Sequence, residues 1–195
     1  MDPVASSGLF FFSTGDEAKH RIVSERGIST LNYAMFSEHQ MVRRAATEAM
    51  SNLFPHRDLV SYLQDPEHLK LWVAFACDFE ENFECARAAA GCLAMASQVI
   101  EVANVLSALP SFREMVRSLL ECGNFELMHR ILVLILNTLE HGDKPREAVV
   151  ATGAVAFCHG YIETFDKGKD TDLSPTDKEA MAITMKLAKE IVAIC

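Results

Sequence analysis

An all-α, right-handed solenoid of about four repeats with three helices in each is the fold this sequence predicts, on three observations. An apolar stripe recurs at a fixed interval of 43 residues: Val42, Ala45, Ala46, Ala49, Met50 and Leu53 return as Cys85, Ala88, Ala89, Cys92, Leu93 and Ala96, then as Met128, Ile131, Leu132, Ile135, Leu136 and Leu139. Each set falls at i, i+3, i+4, i+7, i+8 and i+11, the face that an amphipathic helix buries. Arginine keeps the same interval on the other face, at Arg44, Arg87 and Arg130. The breakers Pro55, Pro66, Pro110 and Gly123 fall between periodic segments, not inside them. A period of this length with helical content marks an armadillo-type array, in which each unit buries its face against its neighbours.

Residues 1–15 read as an irregular lead-in broken by Pro3 and Gly8, and residues 16–195 as the repeat domain. Phe10, Phe11 and Phe12 in the lead-in need a partner surface, either by capping the open end of the array or by end-to-end contact between copies. The first repeat, 16–54, holds helices Asp16–Arg26, ended by Gly27, then Ile28–Ser37 and Glu38–Phe54. The second, 55–97, repeats the plan as Asp58–Gln64, Glu67–Cys77 and Asn82–Ser97, with Pro66 where a first helical turn tolerates it. The third, 98–141, runs Val99–Leu109, Ser111–Cys122 and Phe125–His141. In the fourth, 142–195, a helix opens at Lys144-Pro145 and runs to Thr152, and another follows Gly153 to about Thr164. The interval carried past Arg130 reaches Leu173 inside a polar stretch, so an insertion is expected there. The last helix starts at Ser174-Pro175-Thr176-Asp177, an N-cap serine followed by a proline at the first helical position.

Composition narrows the function. The formal charge of -9, with basic residues scattered among acids, argues against a nucleic-acid surface. No segment has membrane-spanning length. The N-terminus places Asp2 where a secretory signal carries bases, so a reducing, cytoplasmic setting is expected. The six cysteines form no CxxC pair or Cys/His quartet, which predicts reduced thiols and no metal or other cofactor. No catalytic motif occurs, and the chain is not expected to be an enzyme; a thiol chemistry would have to use Cys122 or Cys158, neither with an evident base.

If the stripe faces inward, the helical step points Arg44, Thr47, Glu48 and Ser51 outward, with Arg87, Ala90, Gly91 and Ala94 as their equivalents in the second repeat. Arg130, Val133, Leu134 and Asn137 follow in the third. The third helices would then line a partner-binding groove with an arginine rung and a small-residue floor. Two readings stand for the arginines, contact with a partner or bonding to neighbouring repeats. Val133 and Leu134 make their helix apolar nearly all round, which favours packing beneath the terminal helix. Asn52 and Asn137 offer an amide to a peptide backbone or to a helix end.

Two families share this architecture. Peptide-carrier armadillo proteins resemble arrays with tryptophan and asparagine recurring on the third helix, but the single tryptophan here, Trp72, falls on a second helix. The segments Arg-Arg-Ala-Ala-Thr-Glu-Ala-Met-Ser-Asn-Leu (43–53), Leu-Lys-Leu-Trp-Val-Ala (69–74) and Glu-Cys-Ala-Arg-Ala-Ala-Ala-Gly-Cys-Leu-Ala-Met (84–95) instead resemble the C-terminal part of the UCS domain of animal myosin chaperones, and Leu-Met-His-Arg (127–130) is similar to that family's next repeat. The resemblance covers about residues 16–165 and implies a chaperone domain that holds the myosin motor head during folding and myofilament assembly in muscle. The tetratricopeptide domain with which full-length members bind a heat-shock chaperone has no counterpart here, so such a chaperone is expected only as an indirect partner. The alternative is a noncatalytic scaffold or truncated chaperone fragment that self-associates into a homo-oligomer through its N-terminal end.

Overall fold

The structure, a computed structural model, describes residues 15–166 and 174–195. Among the described residues every regular element is helical. In chain order these are α1 (15–24), α2 (Gly27–Ala34), α3 (Gln40–Asn52), α4 (Arg57–Leu63), α5 (Pro66–Cys77), α6 (Phe83–Ala96), α7 (Ile100–Ser107), α8 (Phe112–Glu121), α9 (Phe125–Leu139), α10 (Asp143–Thr152), α11 (Ala154–Asp166) and α12 (Pro175–Ile194). The helices group in threes, and the third of each group lies beside the next, α3 on α6, α6 on α9 and α9 on α12.

Local chemistry starts these helices where the sequence places them. Asp65 accepts from the Glu67 amide at 2.9 Å with Pro66 at the first helical position. Asn124 accepts from the amides of Glu126 and Leu127 at 2.9 and 3.2 Å, and Ser174 from Asp177 at 3.1 Å. Gly153, at φ 87°, takes the left-handed conformation that separates α10 from α11. The α1–α2 junction differs from expectation: Arg26, at φ 64°, is the left-handed residue, and Gly27 begins α2. Gly27 is fixed by space instead, because a Cβ there would stand 2.5 Å from the Ile22 carbonyl oxygen. The triplet Phe10–Phe12 and the polar stretch of the expected insertion, residues 167–173, lie outside the described residues.

One apolar core runs the length of the array, from Met35 and Met50 through Trp72, Leu93 and Ile131 to Ala188 and Ile191. Two of its buried hydroxyls are satisfied locally: Thr47 donates to Arg43 O at 2.8 Å and Thr138 to Leu134 O at 2.7 Å. Leu134 is buried in the helix that α12 covers, and Val133 is half-buried, in line with packing beneath the terminal helix. No single helix among the described residues is long and apolar enough to cross a membrane. The α10–α11 pair passes that test only when joined across a 55° bend, and Val149, Ala154 and Cys158 in it are buried in the core.

Candidate functional site

Along α3, α6 and α9 runs a shallow trough of about 290 Å³. Its floor is small because α6 supplies Ala88, Gly91 and Cys92, and its rim carries Asn52 and the exposed Met95. Gly91 is needed there in a particular sense: the Arg130 side chain lies across α6, and a Cβ at position 91 would stand 3.3 Å from Arg130 Nε.

The three arginines and three glutamates along this surface form one alternating ladder. Arg44 Nε donates to Glu48 at 3.1 Å, and its Nη2 lies 3.6 Å from Glu84 of the next repeat. Arg87 donates to Glu84 at 2.7 Å and reaches Glu48 at 3.8 Å on one side and Glu126 at 3.6 Å on the other. Arg130 pairs with Glu126 at 3.6 Å and donates to the Glu126 carbonyl at 2.8 Å. Arg44 and Arg87 thus bond to neighbouring repeats, whereas the ion pair of Arg130 stays within α9. Each pair is partly exposed and solvent-screened, so the ladder contributes register between repeats more than stability. The hydrogen bond to Glu48, with Glu84 and Glu48 charges behind it, raises the Arg44 pKa. Burial lowers that of Arg130, with Glu126 opposing the shift. Both guanidiniums stay charged.

Several residues expected in the groove are elsewhere. Thr47, Ala90 and Ala94 are buried, and Ser51 is nearly so. A third helix in this array is covered on more sides than the stripe alone marks, because its sequence-adjacent third helices lie against both flanks. Ser51 shows the contact, donating to Thr47 O at 2.8 Å with Ala88 O of the next repeat 3.3 Å away. It still lines the trough edge. Asn137 donates to Ala94 O at 2.9 Å and to Ser97 Oγ at 3.1 Å, which makes it a tie between α9 and the end of α6. Arg44, Glu48, Arg87, Gly91 and Arg130 remain on the open surface or its wall. Asn137→Ala is expected to cost about 1–2 kcal/mol, since it removes two inter-repeat hydrogen bonds. Urea titration followed by circular dichroism checks this, and an unchanged midpoint would refute the tie.

The repeat pattern did not mark Glu84 and Glu126, the acids in the first turns of α6 and α9. The signal was present, because each lies one turn from a repeat arginine, at Glu84-x-x-Arg87 and Glu126-x-x-x-Arg130. Sequence reasoning also missed Ala88 and Met95, and a second hollow of about 220 Å³ where Phe125, His129 and Arg130 of α9 meet Ala180 and Ile183 of α12. Burial, then the Arg130 charge, holds the His129 pKa below its ordinary value. The thiol reading gains no activation from the structure: burial raises the Cys122 pKa and pushes that of Cys158 up to about 12, the reverse of a nucleophile's need. Among the described residues no group of three or more histidine, cysteine, aspartate or glutamate side chains is placed to hold a metal ion.

No protein-family model matches the chain. It is 32% identical over 139 residues to the protein unc-45 homolog B of Danio rerio, covering 69% of this chain and 15% of that protein. The human unc-45 homolog B is 30% identical over 128 residues, 64% of this chain and 14% of its own length. The chain thus spans about a seventh of the curated relatives it matches. The solved structure of UNC-45 from Drosophila melanogaster aligns with 92% of this chain and 21% of its own, with a TM-score of 0.76 at 23% identity. By sequence over most of its length and by fold, the chain is a homologue of the UNC-45 proteins, an armadillo-like run of helical repeats.

Proposed function

We propose that this chain is a protein-binding chaperone module, located in the cytoplasm, whose trough holds a segment of a client protein, with the myosin motor domain as that client. The observation that carries the reading is the trough itself: a floor reduced to Ala88, Gly91 and Cys92, an exposed methionine at the rim and a wall whose charges are already mutually satisfied. Such a surface offers shape and apolar contact to a segment without demanding one fixed charge pattern. The myosin assignment comes from the resemblance of residues 43–53, 69–74 and 84–95 to the UCS domain and from homology to the UNC-45 proteins. A heat-shock chaperone enters this reading only as an indirect partner.

The experiment is heat-induced aggregation of a purified myosin motor domain, followed by light scattering, with and without the full chain. Gly91→Glu is the informative variant, because the new carboxylate projects into the trough beside Arg130 and glutamate is a better helix residue than glycine. Suppression by the wild type, lost in a Gly91→Glu chain with unchanged helicity, is the expected result. Equal suppression by both would move the client away from the trough, and none from a folded wild type would remove the chaperone reading. Arg87→Glu is a harsher companion, since it sets a fourth carboxylate among Glu48, Glu84 and Glu126.

A further inference from the structure

The interval that orders the third helices also relates the second ones, and one junction between them reverses in charge. Lys70, Ala74, Cys77 and Asp78, on α5 and at its end, return one interval on as Arg113, Arg117, Leu120 and Glu121, and Glu114 of α8 returns as Phe157 of α11. At the α5–α8 junction these positions set two acids against one base. Burial, then the Glu114 charge, raises the Cys77 pKa, so that carboxylate lies close to α5. At the α8–α11 junction the same positions set two bases against one acid, and an aromatic ring replaces the carboxylate. Both junctions lie inside the array, α8 having α5 on one side and α10 and α11 on the other.

The reversed positions enclose a hollow of about 350 Å³ between α8 and the α10–α11 bend. Arg113 and Arg117, one helical turn apart, form one side, Gly153, Ala154 and Phe157 the other, and the buried Leu120 and Thr152 the floor. Thr152 uses its hydroxyl within the bend, donating to Val149 O at 2.6 Å and accepting from the Ala154 amide at 3.1 Å. Recognition in the hollow thus falls to the guanidiniums. Arg117 lies 3.9 Å from Glu121, beyond hydrogen-bond reach, and Arg113 has no hydrogen bond or ion pair among the described residues. Arg44 and Arg87, by contrast, are each held by two or more carboxylates. We infer that this hollow binds an acidic segment of a partner protein, with a carboxylate seated between Arg113 and Arg117 and an adjoining apolar side chain against Phe157. A guanidinium matches a carboxylate through paired N–H donors, and an apolar neighbour gives the segment a second point of contact. A chain of formal charge -9 repels such a segment over most of its surface and attracts it here. None of α8, α10 and α11 lines the trough, so this partner site is separate from the proposed client site.

The test is fluorescence anisotropy of a short, labelled, end-capped peptide of alternating glutamate and leucine, titrated with the full chain. The expected result is saturable binding that weakens with added salt and that Arg113→Gln and Arg117→Gln each reduce by about tenfold or more. Glu121→Gln, which removes the one acid of the hollow, is expected to tighten it. Lys70→Gln makes the same change one repeat earlier and is the control, expected to leave the affinity unchanged. All four side chains are exposed, and far-ultraviolet circular dichroism checks that the variants fold. No binding by the wild type, undiminished binding by both arginine variants, or an equal loss in the Lys70 variant overturns the inference. A peptide with phosphoserine in place of glutamate separates the two anions: binding of that form alone assigns the hollow to a phosphate and overturns the carboxylate. Because the client assay reads a different surface, failure of one result leaves the other standing.

Discussion

Trp72→Ala is expected to lower stability by about 3–5 kcal/mol, the range for emptying a large aromatic site in a core. Trp72 is the largest fully buried side chain of the array, set on α5, which packs against both α6 of its own repeat and α8 of the next. Replacement by alanine therefore opens a cavity where two repeats share one wall, and neither can close it without moving away from the other. For a chain of this size such a loss lowers the thermal midpoint by roughly 10 °C. Urea unfolding followed at 222 nm measures it; a change below about 1 kcal/mol would mean that the site collapses and that the repeats are not held apart by packing.

Ala89→Leu is expected to cost about 1–3 kcal/mol for the opposite reason. Ala89 is fully buried in the stack of third helices, where α6 is made of small side chains and its neighbours stand close. Alanine and leucine differ little in helix propensity, so the loss isolates packing between repeats from helix formation. Ala45→Leu is the matched control: the residue shares the apolar stripe but is exposed, and its replacement is expected to change folding by less than about 0.5 kcal/mol. Equal losses at the two positions would contradict the burial that separates them.

Helix starts and stops were legible because they depend on neighbours in sequence. Asp65-Pro66, Asn124 and Ser174-Pro175 cap helices as their types demand, and the three long third helices fall within two residues or so of where the periodicity puts them. The groove was only partly legible, since burial on a helix flank depends on a neighbour some 43 residues away. Alanine carries almost no signal on that point: Ala90 and Ala94 suit either an exposed floor or a tight helix contact. The helical step pointed Thr47 outward, yet it is fully buried and its hydroxyl is satisfied within its own helix. Asn137 carried the right chemistry, an amide seeking backbone, but the backbone it finds belongs to the preceding repeat. Arginine periodicity revealed the register, and only the arrangement of Glu48, Glu84 and Glu126 revealed what the register holds.

Arg130 belongs to the wall of both hollows, the trough over Gly91 and the pocket against Ala180 and Ile183. The two are not separate compartments. A guest that lifts this guanidinium from its seat on α6 must swing it toward the terminal helix or out into solvent, and either movement reshapes the second chamber. One side chain thus acts as a shared partition: filling one room changes the dimensions of the other.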